Sequence, residues 1–107
     1  MEFIESSIFT RRADKIMTRD ELRSIQNEIA ENLAGGVKIM KKTHKRRFAA
    51  KGHGKRGGCR IIYWYSGDER FVHLLFIFAK NEQDNLTDEQ MRDFRKVIGA
   101  LEEVYDG

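Results

Sequence analysis

Ten lysines and arginines lie between Lys38 and Arg60, with no acidic residue among them. In the rest of the chain ten cations stand against 17 acids, so a net charge of +3 conceals one strongly basic segment in an otherwise acidic protein. Holding phosphates is the chemistry that such a segment supports. Arginine offers a planar, bidentate donor fork to a phosphate and lysine a compact charge. Blocks of one sign are often only a solvated face or a tail. This block contains structure: in KRRFAAKGHGKRGGCRIIYWY the cations are interrupted by Phe48, Ala49 and Ala50, and a strand-like run follows at once. A basic surface held on a sheet is the footprint of a protein that binds phosphates.

The elements that must hold these side chains are legible in outline. Lys45 and Arg47 are two residues apart and share a face if their segment is a strand. Arg60 stands at the head of CRIIYWY, and Lys80 closes RFVHLLFIFAK. Both runs are β-rich and nearly continuous in apolar residues, which predicts central strands covered on two faces. SGDE between them carries hairpin-turn chemistry. MEFIESSIF reads as a first strand, and a weaker strand falls within residues 37–50. Thr18 and Glu21 form a capping-box signature, and Leu22, Ile25, Ile29 and Leu33 then give one apolar helix face, ended at Gly35 and Gly36. Thr87 and Gln90 open a second box, followed by Met91, Phe94, Ile98 and Leu101. The expected class is α+β, a small, mainly antiparallel sheet with N-terminal and C-terminal helices packed on it. With no repeat, linker or proline, residues 1–107 form one domain.

Composition excludes several classes. Hydrophobic and charged contents of 40% and 35% suit a globular chain. No stretch approaches the roughly 18 apolar residues of a membrane span. MEFIESSIF lacks the basic start and apolar middle of a signal peptide. The single cysteine, Cys59, has no partner for an internal disulfide, and a cytoplasmic protein is expected. Three scattered histidines and one cysteine make no metal-ligand spacing. GHGKRGG lacks the frame of a phosphate-binding P-loop, and no Gly-x-Ser-x-Gly occurs. Neither a metal nor a cofactor is expected.

The order of strand, helix, basic strand, Gly54-Lys55-Arg56-Gly57-Gly58, Arg60-Ile61-Ile62-Tyr63-Trp64-Tyr65, and Lys80-Asn81-Glu82 before Leu86 resembles the RelE/HigB-type toxins of bacterial toxin–antitoxin pairs, most closely the HigB-like branch. The resemblance covers most of the chain and is specific over residues 45–90. It implies a ribosome-dependent mRNA endonuclease that cuts in the 30S A site without a metal. It also implies a cognate antitoxin of the helix-turn-helix type as partner, and no membrane. Such cutting uses the RNA 2′-hydroxyl as nucleophile and needs a base, a stabiliser of phosphoryl charge and an acid for the leaving oxygen. Crowded cations can supply all three, because neighbouring positive charge disfavours protonated lysine.

By that resemblance Arg60 takes the scissile phosphate, and Lys80 is an acid/base or phosphate-stabilising group. The alternatives are an exposed edge arginine and a strand-end lysine that deters aggregation. Both are expected at the surface. Lys45 and Arg47 match a basic pair on the preceding strand. Lys51, Lys55 and Arg56 are expected to grip the RNA backbone. For His53 two readings stand, a neutral base among cations and a solvent-exposed loop histidine. The chain departs from the family in lacking a tyrosine near Leu86 to stack on the substrate base, which leaves Tyr63, Tyr65 or Phe78 for that role, or none. A non-catalytic RNA- or ribosome-binding module with the same fold is the alternative function.

Overall fold

The computed structural model describes residues 1–49 and 58–107. Its elements in chain order are β1 (Glu2–Glu5), α1 (Ser7–Ile16), α2 (Arg19–Glu31), β2 (Val37–Met40), β3 (Thr43–Phe48), β4 (Cys59–Tyr65), β5 (Phe71–Ala79) and α3 (Asp88–Asp106). The five strands form one sheet in the order β1-β5-β4-β3-β2, antiparallel except for the β1–β5 pair. The expected α+β class holds, with β4 at the centre and β5 beside it.

Two cores lie on the two faces. Phe9, Ala13 and Ile16 of α1 and Leu22, Ile25 and Ile29 of α2 pack on Phe48, Cys59, Ile61, Tyr63, Val72, Leu74 and Ile77. On the other face Ile62, Trp64, Leu75, Phe76 and Phe78 meet Ile98, with Phe94, Leu101 and Tyr105 of α3 against them. A bulge sorts β5 between the two. Ile62 faces Phe76 while Tyr63 faces Leu74, so Leu75 is the extra residue, and Leu75 and Phe76 both bury toward α3.

Both capping boxes are present, Thr18 with Glu21 and Thr87 with Gln90. Helix α1 was not expected. Ile8 and Phe9 read as strand, yet Ser6 caps a helix by accepting a bond from the Phe9 amide at 3.1 Å. The first strand therefore stops at Glu5. Helix α2 ends at Glu31, before the glycines expected to stop it. Gly36 has a different role: at φ +76° a Cβ there would lie 2.4 Å from the Lys45 carbonyl oxygen, so the chain passes β3 only without a side chain. The single strand expected in residues 37–50 is a hairpin, β2 turning into β3 through Lys41 and Lys42. Lys42 holds a left-handed φ of 50°, tethered by Glu102 and Asp106.

Candidate nucleic-acid interface

Alternation along β3 and β4 decides which cations meet. Arg47 and Arg60 are direct partners across the two strands, and Arg60 also faces Phe78 of β5. Lys45 faces Ile62, so Lys45, Arg47 and Arg60 share the α3 side of the sheet. Directly opposed side chains leave their Cβ atoms about 4.5–5.5 Å apart. Helix α3 runs away from this row: Phe94 packs on Phe76 with centroids 5.7 Å apart, and Tyr105 reaches Trp64, also at 5.7 Å. The helix thus covers the sheet from Phe76 to Trp64 and leaves the Arg47–Arg60 row at its N-terminal end. Lys80 follows β5, exposed, and its amide extends the ladder by donating to the Gly58 carbonyl at 3.4 Å. Lys80 opens the turn that follows β5, two residues beyond the Phe78 that faces Arg60.

The expectation that Arg60 is a surface group needs correcting. It keeps 9% of its accessible surface. Its strand is central, and within that buried setting its Nη1 donates to the Cys59 carbonyl at 3.4 Å. Arg47 is exposed and Lys45 half-buried.

The basic segment divides by partner. Lys41 and Lys42 pair with Glu102, and Lys42 with Asp106, tying the β2–β3 turn to the C-terminal end of α3. Arg46 points to the opposite face and donates to the Asn32 carbonyl at 2.9 Å, closing the C-terminal end of α2. Lys42 and Arg46 therefore have structural partners, and Lys41, largely exposed, lies 3.8 Å from Glu102. Among the described residues, no ion pair includes Lys45, Arg47 or Lys80. Lys45 instead donates to the Asn85 side-chain oxygen at 2.5 Å. Asn85 was not singled out from the sequence, because nothing in a polar turn signals contact with a residue 40 positions earlier.

A cavity of about 440 Å³ is lined by Gly36, Val37, Lys45, Arg46, Arg47 and Arg60. A second, of about 190 Å³, is lined by Ile39, Lys45, Asn85, Leu86 and Met91. Lys45 borders both. One cavity is lined by four cations, and its neighbour by three apolar side chains with Lys45 and Asn85. Opposed like charges repel one another, and an anion between them removes that repulsion.

The three aromatic candidates lie as follows. Tyr63 is fully buried on the α1–α2 face, where its hydroxyl donates to the Leu33 carbonyl at 2.9 Å and burial pushes its pKa up. Tyr65 is on that same face, its ring 5.8 Å from His44. Phe78 lies on the cationic side but is fully buried. Tyr63 and Phe78 are thus buried, and Tyr65 is half-buried on the face opposite Arg60. Leu86 is half-buried and lines the second cavity.

Cys59 is buried, and that burial pushes its thiol up to about 12, so it is no nucleophile. Burial also lowers the pKa of His44 and of His73, which bonds the Tyr105 hydroxyl at 3.0 Å. Among the described residues no three His, Cys, Asp or Glu side chains converge as metal ligands. His53, Lys51, Lys55 and Arg56 lie outside the described residues. Among the described residues no helix is long and apolar enough to cross a membrane.

Comparison with known proteins bears on what this arrangement serves. The family model of the RelE toxin of the RelE/RelB toxin-antitoxin system matches residues 3–106. The fold is similar to a chain in the crystal structure of the intact E. coli RelBE toxin-antitoxin complex, with a TM-score of 0.53 and 15% identity, covering 72% of this chain and 93% of that one.

Proposed function

The chain belongs to the RelE toxin family, and on that premise we propose that it is an endoribonuclease that cuts mRNA in the ribosomal A site and thereby stops translation. The observation that carries this reading is the Arg47–Arg60 pair, two arginines in register on one face, with Lys45 beside them and Lys80 at the end of the neighbouring strand. In this reading the two guanidiniums hold the non-bridging oxygens of the scissile phosphate. The 2′-oxygen attacks phosphorus, the bond from phosphorus to the 5′-oxygen breaks, and a 2′,3′-cyclic phosphate and a 5′-hydroxyl result. The 2′-hydroxyl proton passes to Lys45 or to His53, and the leaving oxygen takes one from Lys80. The flanking base rests in the apolar cavity against Leu86 and Met91 rather than on an aromatic ring.

Such a shallow, open site has little means of aligning a flexible RNA by itself, and ribosome binding supplies that alignment. A cognate antitoxin, of the helix-turn-helix class by the resemblance described above, keeps the protein silent. Exposed Val97 and Val104 on the outer side of α3 give it an apolar surface. The test is expression of the chain alone in a bacterium. Arrest of growth and translation, relieved by Arg60→Ala and by Lys80→Ala in folded protein, supports the reading. Unchanged growth and unchanged mRNA ends favour a binding module that merely uses the same basic sheet.

A further inference from the structure

Strand β1 covers the edge of β5 only as far as the Glu5–Leu74 pair, and among the described residues no strand pairs with the remaining five residues, Leu75–Ala79, on that side. Side chains take its place. The Arg12 Nε of α1 donates to the Ile77 carbonyl at 2.6 Å, and its guanidinium carbon lies 4.6 Å from the centre of the Phe76 ring. The other end of that guanidinium meets the Glu82 Oε2 at 2.6 Å. Glu82 Oε1 accepts the Ala79 amide at 2.9 Å, while the Glu82 amide donates to the Ala79 carbonyl at 3.0 Å. A free edge is thus closed by one arginine and one carboxylate, as a sixth strand would close it.

This closure has a consequence for chemistry. Residues 79–82 form a hydrogen-bonded turn with Lys80 at its second position. The turn is held from three sides, by Glu82 on the Ala79 amide, by Arg12 on Glu82, and by the Lys80 amide on the Gly58 carbonyl. An exposed lysine on a free turn loses much of its effect through misplacement, and a shift of about 1 Å at a reacting group can lower a rate about 100-fold. We infer that Arg12 and Glu82 are positioning residues, which hold the turn so that Lys80 stands beside the Arg47–Arg60 row. The inference rests on the proposed role of Lys80 and assigns no contact with RNA to Arg12 or Glu82.

A double-mutant cycle on single-turnover cleavage of ribosome-bound mRNA tests it. Arg12→Ala is expected to lower kcat about tenfold with KM changed less than about twofold. Added to Lys80→Ala it is expected to lower the rate no further, since it acts through that lysine. Glu82→Gln, which keeps an acceptor for the Ala79 amide, is expected to fall between wild type and Glu82→Ala, so the answer does not depend on one variant folding. Losses that multiply across the Arg12 and Lys80 sites, or a rise in KM at unchanged kcat, would overturn the inference. If the wild type cuts nothing, the catalytic reading falls instead, and the same cycle is read as affinity for a single-stranded oligoribonucleotide of about ten nucleotides. Non-additive loss supports the positioning role there, and additive loss rejects it.

Discussion

Arg47 and Arg60 are Cα partners on neighbouring strands, and their side chains stand on the same face of the sheet. Like charges directly opposite one another destabilise a sheet by up to about 1 kcal/mol. In the proposed reading this pair, with Lys45 two residues away, holds the scissile phosphate. Arg47→Ala is therefore expected to leave the denaturation midpoint unchanged or raise it, and to lower cleavage by about tenfold or more. Lost stability with retained activity would assign Arg47 a structural role.

The bond from Lys45 to Asn85 ties the cationic row to the turn before α3. Asn85 is exposed, so Asn85→Ala is expected to leave thermal stability unchanged. Freed of its partner, Lys45 samples other rotamers, and cleavage is expected to drop about tenfold while Lys45→Ala in the same background adds little more. Rate measurements on the two single variants and the double variant decide this.

Tyr63 illustrates what the sequence concealed. In RIIYWY it alternates with Ile62 and Trp64, and either tyrosine could belong to either face until the register is known. The structure turns Tyr63 toward α2, where its hydroxyl reaches the Leu33 carbonyl. Tyr63→Phe is expected to reduce stability by about 1 kcal/mol and to leave RNA affinity unchanged. A loss of RNA affinity without a loss of stability would restore the tyrosine to the RNA-binding surface.

His44 gives the fold a pH dependence of definite sign. Burial, with Lys38 adding repulsion, holds its imidazole below the ordinary 6.5, against an opposing bond to the Gly35 backbone. The folded state takes up that proton at lower pH than the unfolded chain. Stability tied to His44 is thus complete above about pH 6.5 and is lost as the pH falls through the folded value. His73, lowered by burial, acts in the same direction. Denaturation midpoints measured from about pH 7.5 to 5.5 are expected to fall, and His44→Phe, which keeps the stack on Tyr63 and Tyr65, is expected to flatten that fall. Parallel curves for the two proteins would remove His44 from the account.

Where the sequence was informative, one local signal settled one element. Two capping boxes marked α2 and α3, and unbroken apolar runs marked β4 and β5 as central. Helix α1 was hidden because Ile8 and Phe9 suit a strand as well as a helix, and the deciding contact, Ser6 onto the Phe9 amide, carries no strong signature. The basic segment suggested phosphate binding from the sequence, but its composition alone does not say which cations have structural partners. That division came from partners distant in sequence: Glu102 and Asp106 claim Lys42, the end of α2 claims Arg46, and Asn85 orients Lys45. Face assignment follows from register, which a sequence specifies only through the whole sheet.

In the proposed mechanism the Arg47–Arg60 row drives attack by the RNA's own 2′-hydroxyl on ribosome-bound mRNA. Its most direct measurement is the chemistry of the RNA ends in a purified translation reaction given the wild-type protein or Arg60→Ala. Cuts within translated codons are expected to leave 5′-hydroxyl and 2′,3′-cyclic phosphate ends, slowed at least about 100-fold by Arg60→Ala, with the same RNA left largely intact when ribosomes are omitted. Ends that carry a 5′-phosphate, or stalled translation with the mRNA uncut, would contradict it.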